Sequence, residues 1–136
     1  MSDSRVQGLF KPKRRFGNKL PGIYLDSVNG SKDPHHIEIF LVNAFDETLE
    51  FVASPQPLLF IASLAHANIQ DDILVYENVA PGEAVKIAEF DEVHDNGLLH
   101  RLTVLWQCPH GEAQHATITA KCTSKFTYRV LRWREE

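Results

Sequence analysis

Thiol, imidazole and carboxylate groups, the side chains that bind zinc in proteins, occur close together between Cys108 and His115. The stretch reads Cys-Pro-His-Gly-Glu-Ala-Gln-His and matches the spacing of no standard zinc finger. The flanking residues alternate between apolar and polar, which turns Cys108 inward and places His110 in a turn. The sequence therefore favours a buried thiol beside a polar turn over a metal site at Cys108, His110 and His115, and it predicts no cofactor.

The other groups that could do acid-base or metal chemistry lack the partners that such chemistry needs. The acidic run from Asp91 to Gly97 does not have the residue order of an EF-hand calcium loop. His100 is expected to face the core near Ala120, with no nucleophile or carboxylate identified beside it. The sequence contains no nucleophile elbow, phosphate loop or dinucleotide-binding fingerprint. We therefore expect a protein that is not an enzyme.

A basic stretch near the N-terminus is the strongest functional signal in the sequence. Lysines and arginines follow one another from Lys11 to Lys19, with a phenylalanine on each side of the first cluster. Such residues could neutralise phosphates and stack on bases, direct nuclear import, dock into a neighbouring subunit, or only solubilise the chain. The candidate partner-binding residues are Phe10, Lys11, Lys13, Arg14, Arg15 and Phe16.

Charge is segregated along the chain, although the net charge is only −4. Residues 1–22 carry +5, residues 23–100 carry −12 and residues 101–136 carry +3. A basic arm joined to an acidic body could reach an anionic partner, or could lie on the acidic body of its own or a neighbouring subunit. The acidic body counts against nucleic acid, because the folded surface would repel the strand that the arm attracts.

The elements that must position these groups are predicted to be β-strands. Alternating apolar and polar residues run from Leu98 to Cys108 and again from Glu112 to Thr123, around the turn residues Pro109 and Gly111. The resulting hairpin places Leu102 opposite Ile118 and Val104 opposite Ala116. Its inward residues, including Trp106, are expected in the core.

Short strands separated by tight turns predict an all-β fold, namely an antiparallel two-sheet β-sandwich of seven or eight strands, with a small β-barrel as the second choice. Ala80-Pro-Gly-Glu83 has the residues of a type II turn. The stretch 58–67 fits a strand or a helix, and its neighbours favour the strand. Residues 1–22 are expected to form an irregular or docked arm, and residues 23–136 a single sandwich domain.

Composition and cysteine usage indicate where such a chain would work. An apolar fraction of 43% is ordinary for a globular protein, and no apolar run approaches the roughly 20 residues of a membrane span. Cys108 and Cys122 are expected to lie roughly 30 Å apart on the hairpin and to stay reduced. Together with the lack of a secretory signal at the N-terminus, this predicts a cytoplasmic protein that does not bind membranes.

The sequence thus predicts a non-catalytic, cytosolic β-sandwich that binds a protein partner or assembles with itself, with the basic arm as the candidate contact. The alternatives are a nucleic-acid-associated protein that uses the arm, or a small-ligand or metal-binding sandwich that uses the hairpin tip.

Overall fold

The computed structural model is an antiparallel β-sandwich of two sheets that are not closed into a barrel, which confirms the predicted fold class. It describes residues 4–10, 20–30, 33–55, 58–61, 73–93, 98–109, 111–121 and 128–134, and for residues 58–61, 98, 100, 120 and 121 the backbone only.

Ten strands occur in the described part of the chain, more than the seven or eight predicted. In chain order they are β1 (Arg5–Gln7), β2 (Pro21–Asn29), β3 (His36–Asn43), β4 (Leu49–Pro55), β5 (Leu58–Ile61), β6 (Ile73–Val79), β7 (Glu83–Asp91), β8 (Leu98–Gln107), β9 (Gln114–Lys121) and β10 (Arg129–Trp133).

The first sheet has the order β1-β7-β3-β2-β10, and the second has the order β6-β4-β8-β9. β5 pairs with the beginning of β8, and β4 pairs with the end of β8. Both lie on the same side of β8. The sheets enclose a core of aliphatic side chains together with Phe90 and Trp106, as expected for two sheets that each turn one face inward.

The hairpin of β8 and β9 has the predicted register, with Leu102 opposite Ile118 and Val104 opposite Ala116. Leu102, Val104 and Trp106 are buried as expected, whereas Ile118 is only partly buried against the core. The type II turn is also confirmed, because the Glu83 amide donates to the Ala80 carbonyl at 3.0 Å and Gly82 has a φ of 80°.

Two of the extra strands lie where the sequence was hardest to interpret. β1 belongs to the arm predicted to be mostly irregular, and it pairs with residues 83–85 of β7. The sequence did not predict this strand because three residues are too few to display a period. β5 forms the beginning of the stretch 58–67, so the preferred strand is found there, and residues 62–67 lie outside the described part.

Candidate protein-binding edge

β6 ends the second sheet and is the most apolar exposed strand that the structure describes. It pairs with β4, from Leu49 opposite Val79 to Pro55 opposite Ile73. Among the described strands it has no partner on its other side. Ile73 is 61% exposed and Val75 is 58% exposed, both on the outer face of the sheet. An edge strand with exposed apolar side chains is a template for pairing with another chain.

The end of β6 departs from regular strand geometry at Asn78. This residue has a φ of 54°, a left-handed conformation that asparagine adopts more readily than most residues. The alternation changes at this point, so that the half-buried Tyr76 and the buried Val79 both contribute to the core, three positions apart. Val79 is thereby anchored inside the sandwich while Glu77 and Asn78 remain exposed.

Arg5 of the arm closes this end of β6. Its guanidinium donates to the carbonyl oxygens of Glu77 at 3.0 Å and Asn78 at 2.9 Å. It also forms a two-pronged ion pair with Glu83, from Nε to Oε2 at 3.2 Å and from Nη2 to Oε1 at 2.7 Å. The pairing of β1 with β7 holds Arg5 in this position. The part of β6 that is left for a partner is therefore Ile73–Tyr76, which we call the open edge.

Electrostatics reinforces the Arg5 contact. The side-chain hydrogen bond to Glu83 raises the pKa of Arg5 despite an opposing effect of burial. The hydrogen bond from Arg5 lowers the pKa of Glu83, and the amide of Ala80, which donates to the same carboxylate at 3.0 Å, adds to this effect against desolvation. Both groups are therefore charged at neutral pH. We call the contacts of Arg5 with Glu83 and with the carbonyls of Glu77 and Asn78 the clamp.

Two other edge strands are built in ways that discourage pairing. β9 exposes His115, Thr117 and Thr119, which are polar. β10 carries Arg129 and Arg132, and its register against β2 shifts twice. Polar side chains, charges and bulges are the usual means of protecting a sheet edge. The open edge of β6 has neither a charge nor a bulge, since Ile73, Leu74, Val75 and Tyr76 carry no charge and their register against β4 is regular.

The outer face of the first sheet is apolar as well, but the arm contributes to covering it. The ring of Phe10 packs on Phe40 with 5.5 Å between centroids, and Tyr24 packs on Tyr128 at 4.9 Å. Tyr24 and Phe40 are buried in an apolar cluster on this outer face, separate from the core between the sheets, and the partly buried Val6 of β1 packs beside them. The structure thus places Phe10 against its own chain. The other predicted partner-binding residues, Lys11, Lys13, Arg14, Arg15 and Phe16, lie outside the described residues.

A charged cluster lies further along the same outer face. A β-bulge at Ile87 and Ala88, both facing the core, brings Lys86 and Glu89 to the same side although they are three residues apart. The Lys86 ammonium contacts Glu89 at 3.2 Å and the buried Glu38 at 3.3 Å. Desolvation would lower the pKa of Lys86, but the two carboxylates outweigh it and raise the pKa.

His35, which directly precedes β3, and His36, its first residue, each contact a carboxylate near the end of β7. His35 Nδ1 lies 2.7 Å from Glu92 Oε1, and His36 Nε2 lies 3.1 Å from Glu89 Oε2. The hydrogen bond to Glu92 raises the pKa of His35, and neighbouring carboxylates add to the effect. These pairs fasten β3 to β7 and lie on the first sheet, not on the sheet that contains the open edge.

The hairpin tip does not bring its metal-ligand candidates together. The half-buried Cys108 packs against the core, whereas His115 is exposed on β9 opposite Leu105. Burial raises the pKa of the Cys108 thiol, which disfavours the thiolate that a metal binds. His110 lies outside the described residues. No cluster of three potential ligands, whether His, Cys, Asp or Glu, occurs in the portion of the chain that the structure describes.

Comparisons with known proteins provide no functional information about this chain. No protein-family model matches it, and neither a curated protein nor a solved structure is significantly similar to it. Within the described ranges, no helix is both long and apolar enough to cross a membrane.

Sequence reasoning identified β6 as a strand but missed its role as a candidate site. The signal was present, since four uncharged β-forming residues follow Asp71 and Asp72 directly. The same signal is typical of a strand inside a sheet. Only the strand order distinguishes an edge strand from a strand inside the sheet, and that order depends on contacts between distant parts of the chain.

Proposed function

We propose that this chain is a non-catalytic protein-binding module that accepts an extended strand of its partner along the open edge of β6. The observation that carries the proposal is the exposure of Ile73 and Val75 on a strand whose other side has no described neighbour. In strand addition, the main-chain groups of the edge supply hydrogen bonds and the alternating side chains supply selectivity. The free thiol of Cys108 supports placing the module in the cytosol.

The contacts of the arm support protein binding at β6 over nucleic-acid binding by the arm. Arg5 is engaged with Glu83 and Phe10 is packed on Phe40, so the described part of the arm is occupied within its own chain. Phosphate binding calls for exposed cations, and the open edge offers uncharged side chains instead. We therefore propose that the partner presents an apolar, β-forming segment.

A titration with a synthetic strand tests this function directly. The probe is a capped peptide of alternating threonine and valine with a lysine at each end, added to isotope-labelled protein at a dilute concentration. We expect saturable shifts of the NMR signals of the amides of Ile73–Tyr76, because these residues would form the new ladder. Val75→Lys should weaken binding about fivefold or more, since it replaces an apolar cross-strand pair with a charge.

Thr117→Lys is the matched control, because it introduces the same charge at an exposed position on β9, at the other side of the same sheet. Its peptide affinity should equal that of the unmodified chain. Shifts spread over β9 or β10, or no saturable binding, would refute the proposal.

A further inference from the structure

Arg5 binds main-chain groups of β6 that a partner strand would otherwise bind. We infer that the clamp is autoinhibitory: it limits the ladder on β6 to the open edge, and its displacement lengthens that ladder to Glu77 and Asn78. This inference rests on the proposed strand-accepting edge and adds how that edge is regulated. The clamp thereby makes the edge selective for the length of the strand that it accepts.

The Arg5 contact shows which main-chain groups of β6 face the open side. The register of β6 against β4 is regular from Ile73 to Glu77. In such a strand, alternate residues point both their N–H and their C=O to the same neighbour. The Glu77 carbonyl accepts from Arg5 and so points away from β4, and the groups of Val75 and Ile73 face the same open side. Pro55 fits this pattern, because it has no N–H to donate and lies opposite Ile73.

The Arg5 guanidinium replaces a neighbouring strand at the third of these positions. Its Nη1 and Nη2 atoms donate to the carbonyls of Glu77 at 3.0 Å and Asn78 at 2.9 Å, which are ordinary distances for ladder hydrogen bonds. Consecutive carbonyls of a regular strand point to opposite sides. The φ of 54° at Asn78 breaks this rule and lets one guanidinium reach both oxygens. A partner strand cannot donate to these oxygens while the charged guanidinium occupies them.

The clamp lies where an incoming strand can displace it. The Arg5 side chain is 38% exposed, and β1, which carries it, has only three residues. The strand and Arg5 compete for the same acceptors. The apparent affinity for a strand that reaches Glu77 is therefore reduced by the fraction of chains in which the clamp is open. A strand that covers only the open edge does not meet this competition.

Two synthetic strands of different length test the inference. Both are capped peptides of alternating threonine and valine with a lysine at each end. The short one covers only Ile73–Tyr76, and the long one adds enough residues to extend past Asn78. Replacing Arg5→Met should strengthen binding of the long strand about tenfold and change that of the short strand by less than about twofold. In the complex of Arg5→Met with the long strand, the NMR signal of the Glu77 amide should also shift.

Two control variants separate the clamp from other effects of the substitution. Arg5→Lys keeps the positive charge but not the planar fork that reaches two carbonyls, so it should also strengthen binding of the long strand. If it binds like the unmodified chain, repulsion of the peptide lysines explains the effect and the inference fails. Gln7→Met removes the hydrogen bond from β1 to the Pro81 carbonyl and leaves β6 untouched, so both affinities should stay unchanged. An equal gain in Gln7→Met would assign the effect to the docking of β1 and also overturn the inference.

Failure of this inference can be distinguished from failure of the proposed function. Thermal unfolding will confirm that each variant is folded. If the short strand binds at Ile73–Tyr76 in every variant but Arg5→Met gains nothing for the long strand, the edge function stands and the autoinhibitory clamp is refuted. If neither strand binds any variant, both are refuted.

Discussion

Arg5 fastens the beginning of the chain to the sandwich, and Arg5→Met tests how much that contact contributes to stability. Methionine retains an aliphatic stem of similar length but removes four hydrogen bonds, two to Glu83 and one each to the carbonyls of Glu77 and Asn78. Glu83 would keep the hydrogen bond from the Ala80 amide and lose its cation.

The expected cost follows from the exposure of the two groups. Hydrogen bonds to charged groups contribute about 1.5–3 kcal/mol where they are shielded from water. The Arg5 side chain is 38% exposed and that of Glu83 is 18% exposed, so solvent screening reduces this value considerably. We expect Arg5→Met to lower the free energy of unfolding by about 2 kcal/mol, with about 1 kcal/mol of it being coupling to Glu83.

The same contact should make stability depend on pH. The folded state lowers the pKa of Glu83, mainly through the hydrogen bond from Arg5. A lowered pKa contributes stability above the unfolded-state value of about 4.3, and this stability is lost as the pH falls through the folded-state pKa. Arg5→Met should therefore flatten the decline in stability between about pH 5 and pH 3.

Urea unfolding of a double-mutant cycle measures both effects. The cycle combines Arg5→Met with Glu83→Gln at pH 7 and at pH 3, and the coupling energy should be present at pH 7 and much smaller at pH 3. A coupling below about 0.3 kcal/mol at pH 7, or one that is equal at both pH values, would refute this account of the clamp.

Three further substitutions test the core, the turn after β6 and the charged cluster on the first sheet. Trp106→Ala should cost about 3–5 kcal/mol in urea unfolding, and a loss below about 1 kcal/mol would contradict its burial. Gly82→Ala should cost about 1–2 kcal/mol, because alanine is strained at a φ of 80° and its Cβ would lie 2.7 Å from Gln7 Nε2; an unchanged melting temperature would contradict this. Lys86→Met should cost about 2–3 kcal/mol by leaving the buried Glu38 without a cation, and adding Glu38→Gln should recover most of it.

The features that the sequence predicted correctly depend on local patterns. Period-two alternation identified β8 and β9, and the turn residues between them determined the register that places Leu102 opposite Ile118. Pro81 and Gly82 similarly specified the turn between β6 and β7. In each case, residues within one strand or one turn supply the necessary information.

The features that the sequence did not predict depend on contacts between distant segments. The bulge at Ile87 and Ala88 becomes evident only when β7 is paired with β3, and it brings Lys86 and Glu89 together. Arg5 gave no sign that its partners would be Glu83 and the end of β6, more than seventy residues away. The candidate site could not be found from the sequence because strand order decides which strand is an edge.

Amide hydrogen exchange along β6 tests the central claim most directly. In an edge strand, alternate amides bond to the neighbouring strand and the others face solvent. In dilute protein, we predict alternating slow and fast exchange across Ile73–Tyr76. The fast positions should become protected when the synthetic strand is added. Uniform protection of these amides in the dilute protein, or fast positions that the added strand does not slow, would contradict the claim that the edge is open and accepts a strand.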